Sequence, residues 1–166
     1  MQQQDRDGLP QPQRRGAVLA IAVSIALAVL DSSIANVALP AIAADLRVSP
    51  SDAILVVNAY QIAVVVSLLP LASLGEKIGY ERVYRAGLML FIAASFFCAM
   101  AESLTGLTAA RVAQGLGAAG LMSVNTALVR FIHPHRMLGR GMGINALVVA
   151  TSSVMGPGVA AAVLSV

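Results

Sequence analysis

Five apolar blocks of about twenty residues each, separated by short polar connectors, leave this 166-residue chain few choices of fold. They cover residues 17–39, 53–72, 86–101, 104–129 and 141–166, the third being the shortest. A helix rising ~1.5 Å per residue needs ~20 residues to cross ~30 Å of hydrocarbon. Inside that hydrocarbon every peptide group must find its hydrogen bond within the protein, so only helices and closed barrels can span it. A barrel would show ~10-residue strands of alternating polarity, and these blocks do not alternate. The expected fold is therefore all-α, a polytopic helical bundle embedded in a lipid bilayer. Composition agrees: 58% of residues are hydrophobic and 11% are charged, against roughly 25% charged in a soluble domain. A globule this small could not hide so much apolar surface from water.

Charge in the connectors sets an expected orientation. Arg6, Arg14, Arg15, Lys77, Arg82, Arg85, Arg130, Arg136 and Arg140 fall on one side of the five segments. Arg47, Asp45, Asp52 and Glu102 fall on the other. Basic residues are retained on the cytoplasmic side, so the N-terminus is expected there, in a cell inner (plasma) membrane. Residues 1–16, "MQQQDRDGLPQPQRRG", are polar, without periodicity and rich in Gln and Pro, and are expected to form a disordered cytoplasmic tail. The stretch "QRRGAVLAIAVSIALAVLDSSIA" also has the build of a secretory signal. Four further apolar blocks in correct charge alternation argue against that reading. The sequence stops at "GVAAAVLSV", within an apolar run, and is expected to be the N-terminal piece of a longer protein.

Several chemistries are not expected. The basic residues are scattered singly, without a basic face interleaved with aromatics, so nucleic acid is not an expected partner. Cys98 is the single cysteine and is expected to be a small packing residue. No zinc-type Cys/His spacing occurs; His133 and His135, in "FIHPHRM", are expected to be an exposed loop pair. Neither a metal nor a cofactor is called for. Nor is an enzyme, since no nucleophile–base pair or phosphate loop is present.

Asp31 is the residue that demands an explanation. The fourteen residues before it, 17–30, carry no charge and one polar side chain, Ser24. A charge in a membrane span is expensive and faces a bundle interior or an aqueous cavity. Such a carboxylate can take up and release protons or attract a cation; the alternative is a structural place near the outer interface. Arg111 poses the same problem in the fourth block. It shares a helical face with Gln114, Gly115 and Ala118. Arginine cannot discharge itself, so it needs backbone carbonyls or a carboxylate from another helix, unless it snorkels to the outer surface. Gly115, Gly117 and Gly120, with Ala113 and Ala119, would let neighbouring helices approach closely, and Gly139 and Gly143 repeat the pattern. In the fifth block Pro157, between Gly156 and Gly158, is expected to bend the helix, as a hinge or as a tight crossing, with Asn145 and Ser152 on one face. The connector "LASLGEKIGYERVYRAGL" sets Glu76, Lys77, Glu81, Arg82 and Arg85 within ten residues. They would form either a salt-bridged latch or a solvated loop.

Four of these stretches together resemble the major facilitator superfamily in its fourteen-span drug:proton antiporter branch. "LDSSIANVALPAI" is similar to the first-helix signature, and "LGEKIGYERVY" to the loop motif between helices two and three, through Gly75, Glu76, Lys77 and Gly79. "RVAQGLGAAG" resembles the fourth-helix motif through Arg111, Gln114, Gly115 and Gly117. "GPGVAA" resembles the fifth-helix antiporter motif through Gly156 and Pro157. The chain departs from the pattern at Ala72 and at Glu76, where glycine and aspartate are usual. It departs again at Tyr80 and Glu81, where basic residues are usual, and at Ala160 and Ala161, where two glycines are usual.

The resemblance implies the first five helices of an N-terminal half that works by alternating access, two bundles rocking about a midplane cavity. It implies a proton-coupled multidrug efflux transporter, whose partners are protons, a lipophilic or cationic small molecule, the bilayer and the missing C-terminal half. Asp31, Arg111 and Gln114 would then couple protons to substrate. Gly75, Glu76, Lys77, Gly79 and Arg82 would belong to a cytoplasmic gate, with Arg130 or Arg136 as pairing partners. Gly115, Gly117, Gly156 and Pro157 would serve packing and hinging. The fragment alone would be inactive. Two other readings stay open: a complete small membrane protein that oligomerises as a scaffold or partner of another membrane protein, and a small homo-oligomeric exporter.

Overall fold

A computed structural model describes residues 8–164, the side chains of residues 163 and 164 excepted. The part of the expected disordered tail at residues 1–7 lies outside the described residues. Five helices follow one another: α1 (Gln11–Asp45), α2 (Pro50–Ile78), α3 (Tyr80–Ala99), α4 (Leu104–Ile132) and α5 (Leu138–Leu164). A single 3-10 turn, His135–Met137, precedes α5, and no strand occurs among the described residues. Each of the five is long and apolar enough to cross a membrane.

The helices run past the apolar blocks because hydropathy marks the greasy core while backbone bonding continues to the nearest cap. α1 begins at Gln11, inside the stretch expected to be disordered. The correction has a local cause. Pro10 and Pro12 preset the backbone for a helical start, and Gln and Arg are good helix formers. α2 is capped by Ser49, whose hydroxyl oxygen accepts from the Asp52 amide at 3.1 Å and donates to the Asp52 carboxylate at 2.7 Å. Ser103 caps α4 by accepting from the Gly106 amide at 3.2 Å. The connector between α2 and α3 is also shorter than its sequence suggests. Apart from Gly79 it is helical, and Gly79 takes φ 101°, a value that disfavours any side chain.

α4 is the axis of the bundle. It packs along α2 on one side and α3 on the other, while α1 lies chiefly against α5. Small residues make these approaches possible. A Cβ on Gly117 would fall 2.5 Å from the Phe91 amide nitrogen and 2.8 Å from the Gly87 carbonyl oxygen on α3. One on Gly115 would fall 2.6 Å from the Tyr60 carbonyl oxygen on α2. The close helix approach expected of these glycines is present. α5 stays helical through Pro157. Its buried positions Gly141, Ser152, Gly156 and Ala160 share one face, and a Cβ on Gly156 would collide with the side chain of Ser33 on α1.

The basic connectors gather at one end. The Leu9 amide donates to the Ile132 carbonyl at 3.2 Å, which ties the start of α1 to the end of α4. His133 closes α4 there and is buried, which corrects its reading as half of an exposed pair. Its Nδ1 lies 3.1 Å from the Val129 carbonyl oxygen, and α5 packs on the ring so closely that a Cβ on Gly141 would touch it.

Candidate functional site

Four helices bring one polar side chain or more to a common point within the span. The regular rise of α4 carries Arg111 and Gln114 on the face turned to α1 and α3. Asp31, at the middle of α1, meets them. Arg111 Nη1 donates to Asp31 Oδ2 at 2.6 Å and to Gln114 Oε1 at 2.8 Å. Gln114 Nε2 donates to Asp31 Oδ1 at 3.0 Å and to Ser95 Oγ on α3 at 2.8 Å. Each carboxylate oxygen therefore has its own donor, and the Gln114 amide is used at both ends. Ser95 in turn donates to the Phe91 carbonyl at 2.7 Å, and the Cys98 thiol reaches Gln114 Oε1 at 3.7 Å. From α2, the Tyr60 ring lies under the Arg111 guanidinium, 5.7 Å from its centroid, a distance suited to cation–π attraction.

Burial separates the two members of the ion pair. The Arg111 side chain is 9% exposed and that of Asp31 is 29% exposed. The guanidinium is sealed among protein groups, so the snorkelling alternative is overturned: its acceptors are the Asp31 carboxylate and the Gln114 carbonyl. The carboxylate keeps access to the space outside the bundle. Arg111 Nε and the Tyr60 hydroxyl have no hydrogen-bond partner among the described residues. Tyr60 also lines a cavity of about 250 Å³ with Ser32, Ser33, Gln61 and Ser153, next to Asp31 along α1 and open on one side. Its wall is polar where hydroxyls of α1 and α5 meet the amide of α2.

The structure thus brings Asp31 against Arg111 and Gln114, a contact between α1 and α4 that the sequence left open. Gly115 and Gly117 flank the site by letting α2 and α3 close on α4, and Gly156 packs on Ser33, two residues from Asp31. Tyr60, Ser95 and Cys98 were not singled out as members. Cys98 is half-buried on α3, and its thiol also addresses the network. The one available signal was that Tyr60 sits in "NAYQ", a polar interruption of an apolar block.

The connector residues are not part of this cluster. Gly75 lies against the Tyr80 ring and Val124, where a Cβ would fall 2.9 Å from both. Val124 is thirteen residues beyond Arg111, roughly 20 Å along α4. Glu76, Lys77 and Arg82 are exposed, and none of them forms an ion pair among the described residues. The expected pairing of Glu76 or Lys77 with Arg130 or Arg136 is absent there. The pair that does form is Glu81 with Arg85, at 2.5 Å, one helical turn apart on α3. The helical register explains the difference: i,i+4 residues face each other, and the exposed acids have water as a rival partner.

The model of the Major Facilitator Superfamily matches residues 21–166. The chain is 60% identical over 160 residues, 96% of its length, to the uncharacterized transporter YebQ of Escherichia coli strain K12. It is 34% identical over 140 residues, 84% of its length, to the riboflavin transporter RibZ of Clostridioides difficile. It is 30% identical over 150 residues, 88% of its length, to the multidrug export protein EmrB of Haemophilus influenzae. These matches cover 35%, 31% and 29% of the three relatives, so the chain spans about a third of their length.

Proposed function

The chain belongs to the Major Facilitator Superfamily, and from that premise we propose that it forms the first five helices of a proton-coupled exporter of lipophilic or cationic small molecules. In this reading the missing C-terminal half supplies the opposite wall of the cavity beside Asp31, and the two halves rock about it. The fourteen-span antiporter branch is the proposed affiliation, supported by the four motifs and by the likeness to EmrB. The basic end of the bundle lies in the cytoplasm, and the membrane is the inner (plasma) membrane.

The observation that carries the reading is the ion pair between a partly accessible carboxylate and a sealed guanidinium. Protonating Asp31 removes its charge and releases Arg111, which keeps Gln114 Oε1 and the Tyr60 ring as partners. Gln114 Nε2 can then stay on Ser95. A proton arriving at Asp31 therefore loosens α1 from α4 while leaving α4 bound to α3. Such a local two-state contact, biased by a proton, is what coupling to a rocking motion requires. Gly75, Glu76, Lys77, Gly79 and Arg82 belong in this proposal to the cytoplasmic gate, with pairing that waits on the second half. Gly156 and Pro157 set the crossing of α5 over α1 at the height of the cavity.

The test is dye efflux from everted vesicles carrying the full-length protein. Asp31→Asn should abolish efflux driven by a proton gradient while counterflow exchange of substrate persists, and Arg111→Ala should impair both. Unchanged gradient-driven efflux in both variants would overturn the assignment. The 166-residue chain expressed alone should give no efflux.

A further inference from the structure

Where α1 and α5 meet at the arginine-rich end, a cavity of about 380 Å³ lies between them, apart from the polar network. That volume is within the range of small-ligand sites, roughly 300–1,000 Å³. Arg14, Arg15 and Arg140 stand around it. No carboxylate among the described residues lines it, and none of the three arginines forms an ion pair among those residues. Arg14 is held in place: it is only partly exposed, and its Nη1 lies 3.8 Å from the Met137 sulfur. This is unlike Arg85 at the same end, whose charge is answered by Glu81. Below the arginines the lining turns apolar, through Val18, Leu19 and Ile144. Leu19 is 66% exposed, so this apolar floor continues onto the outer face of α1.

Three cations without counter-ions among the described residues, set above an apolar track that points into the span, match one class of molecule. We propose that this cavity binds the phosphate headgroup of an anionic phospholipid, with an acyl chain lying along Leu19 and Ile144. Arg14, Arg15 and Arg140 donate to the phosphate oxygens, for which the guanidinium fork is well shaped. Basic pockets between helices at the cytoplasmic surface are suited to such lipids, and each arginine near the surface contributes measurably. The lipid would bridge α1 and α5, which otherwise meet here without a polar contact between their helical side chains among the described residues.

The experiment is native mass spectrometry of the purified full-length protein titrated with phosphatidylglycerol, cardiolipin and phosphatidylcholine. Wild type should retain the two anionic lipids and not the zwitterionic one. Arg14→Ala with Arg140→Ala should weaken the anionic adducts about tenfold or more, while Arg82→Ala with Arg85→Ala at the same end should leave them. Should the first pair fail to fold, Arg15→Gln with Arg140→Gln should give the same loss. Equal adducts in wild type and the Arg14/Arg140 variant would overturn the site. So would equal loss in both arginine pairs, which would mean unspecific adsorption. If inorganic phosphate at millimolar concentration displaced the lipid fully, the site would take a free anion and the proposed occupant would be wrong. Asp31→Asn should leave lipid binding intact, so this inference and the transport reading can fail separately.

Discussion

The middle of the bundle and the α2–α3 end each hold an ion pair at closely similar distance, 2.6 Å for Asp31 with Arg111 and 2.5 Å for Glu81 with Arg85. They differ in everything else. Asp31 and Arg111 lie eighty residues apart in sequence, on helices that meet through folding, and the arginine is sealed. Glu81 and Arg85 lie one turn apart on one helix, with side chains 69% and 74% exposed. Separation alone therefore says little about what a pair does. In the apolar interior a charge without its partner is stranded, so the pair ties two helices together. At the wet end each charge has water in reserve, so the pair decorates a helix that would form anyway.

The widest gap between the two regions should show on removing one partner. Arg111→Ala leaves the Asp31 carboxylate with Gln114 alone. An uncompensated buried charge costs about 3–5 kcal/mol, and the 29% exposure of the Asp31 side chain points to the lower part of that range. Thermal unfolding of the full-length protein in detergent should show the loss. Asp31→Asn with Arg111→Gln should recover part of it, because neither charge then needs the other. A cost for Arg111→Ala no larger than that of Glu81→Gln would erase the distinction between the regions.

A second contrast sets the crowded glycines of α4 against the open ones of α5. In Gly117→Ala the new methyl meets the α3 backbone at Phe91 and Gly87. Backbone cannot yield as a flexible side chain can, and overpacking of this kind costs about 1–3 kcal/mol. Gly143→Ala meets nothing within 4 Å. There the better helix propensity of alanine should stabilise by about 0.5–1 kcal/mol. The two substitutions should shift the melting temperature in opposite directions; a rise for Gly117→Ala would mean that α3 and α4 are not in the contact described.

Sequence revealed these regions unequally, for physical reasons. The five helices were legible because lipid leaves an apolar block of that length no other structure, although block edges missed the true ends, as at Gln11 and Tyr80. The face shared by Arg111, Gln114, Gly115 and Ala118 was legible because helical periodicity fixes it. That Asp31 meets this face was not, since no local rule links positions on α1 and α4. Tyr60, Ser95 and Cys98 were hidden among apolar neighbours, and only the packing of α2 and α3 on α4 turns them inward. His133 failed in the opposite sense: a histidine beside Pro134 looks like loop, and only the approach of α5 at Gly141 buries it.

The smallest effect belongs to the exposed pair, and its smallness is the sharper half of the comparison. Glu81→Gln removes one charge of an i,i+4 pair on the surface of α3, worth about 0.3–0.5 kcal/mol. Glu81 also sits in the first turn of α3, where a negative charge favours the helix N-terminus by a few tenths more, about 0.3–1 kcal/mol at low ionic strength. Both contributions act through water and both are screened by salt. The melting temperature of Glu81→Gln should therefore fall slightly below wild type in dilute buffer and converge on it as salt is raised towards 1 M. The deficit of Arg111→Ala should largely persist across the same series, because a partly buried pair is screened much less than an exposed one. A salt-insensitive loss at Glu81 would place that residue in a buried interaction at the α2–α3 end and give this connector a rigidity that its exposed charges do not supply.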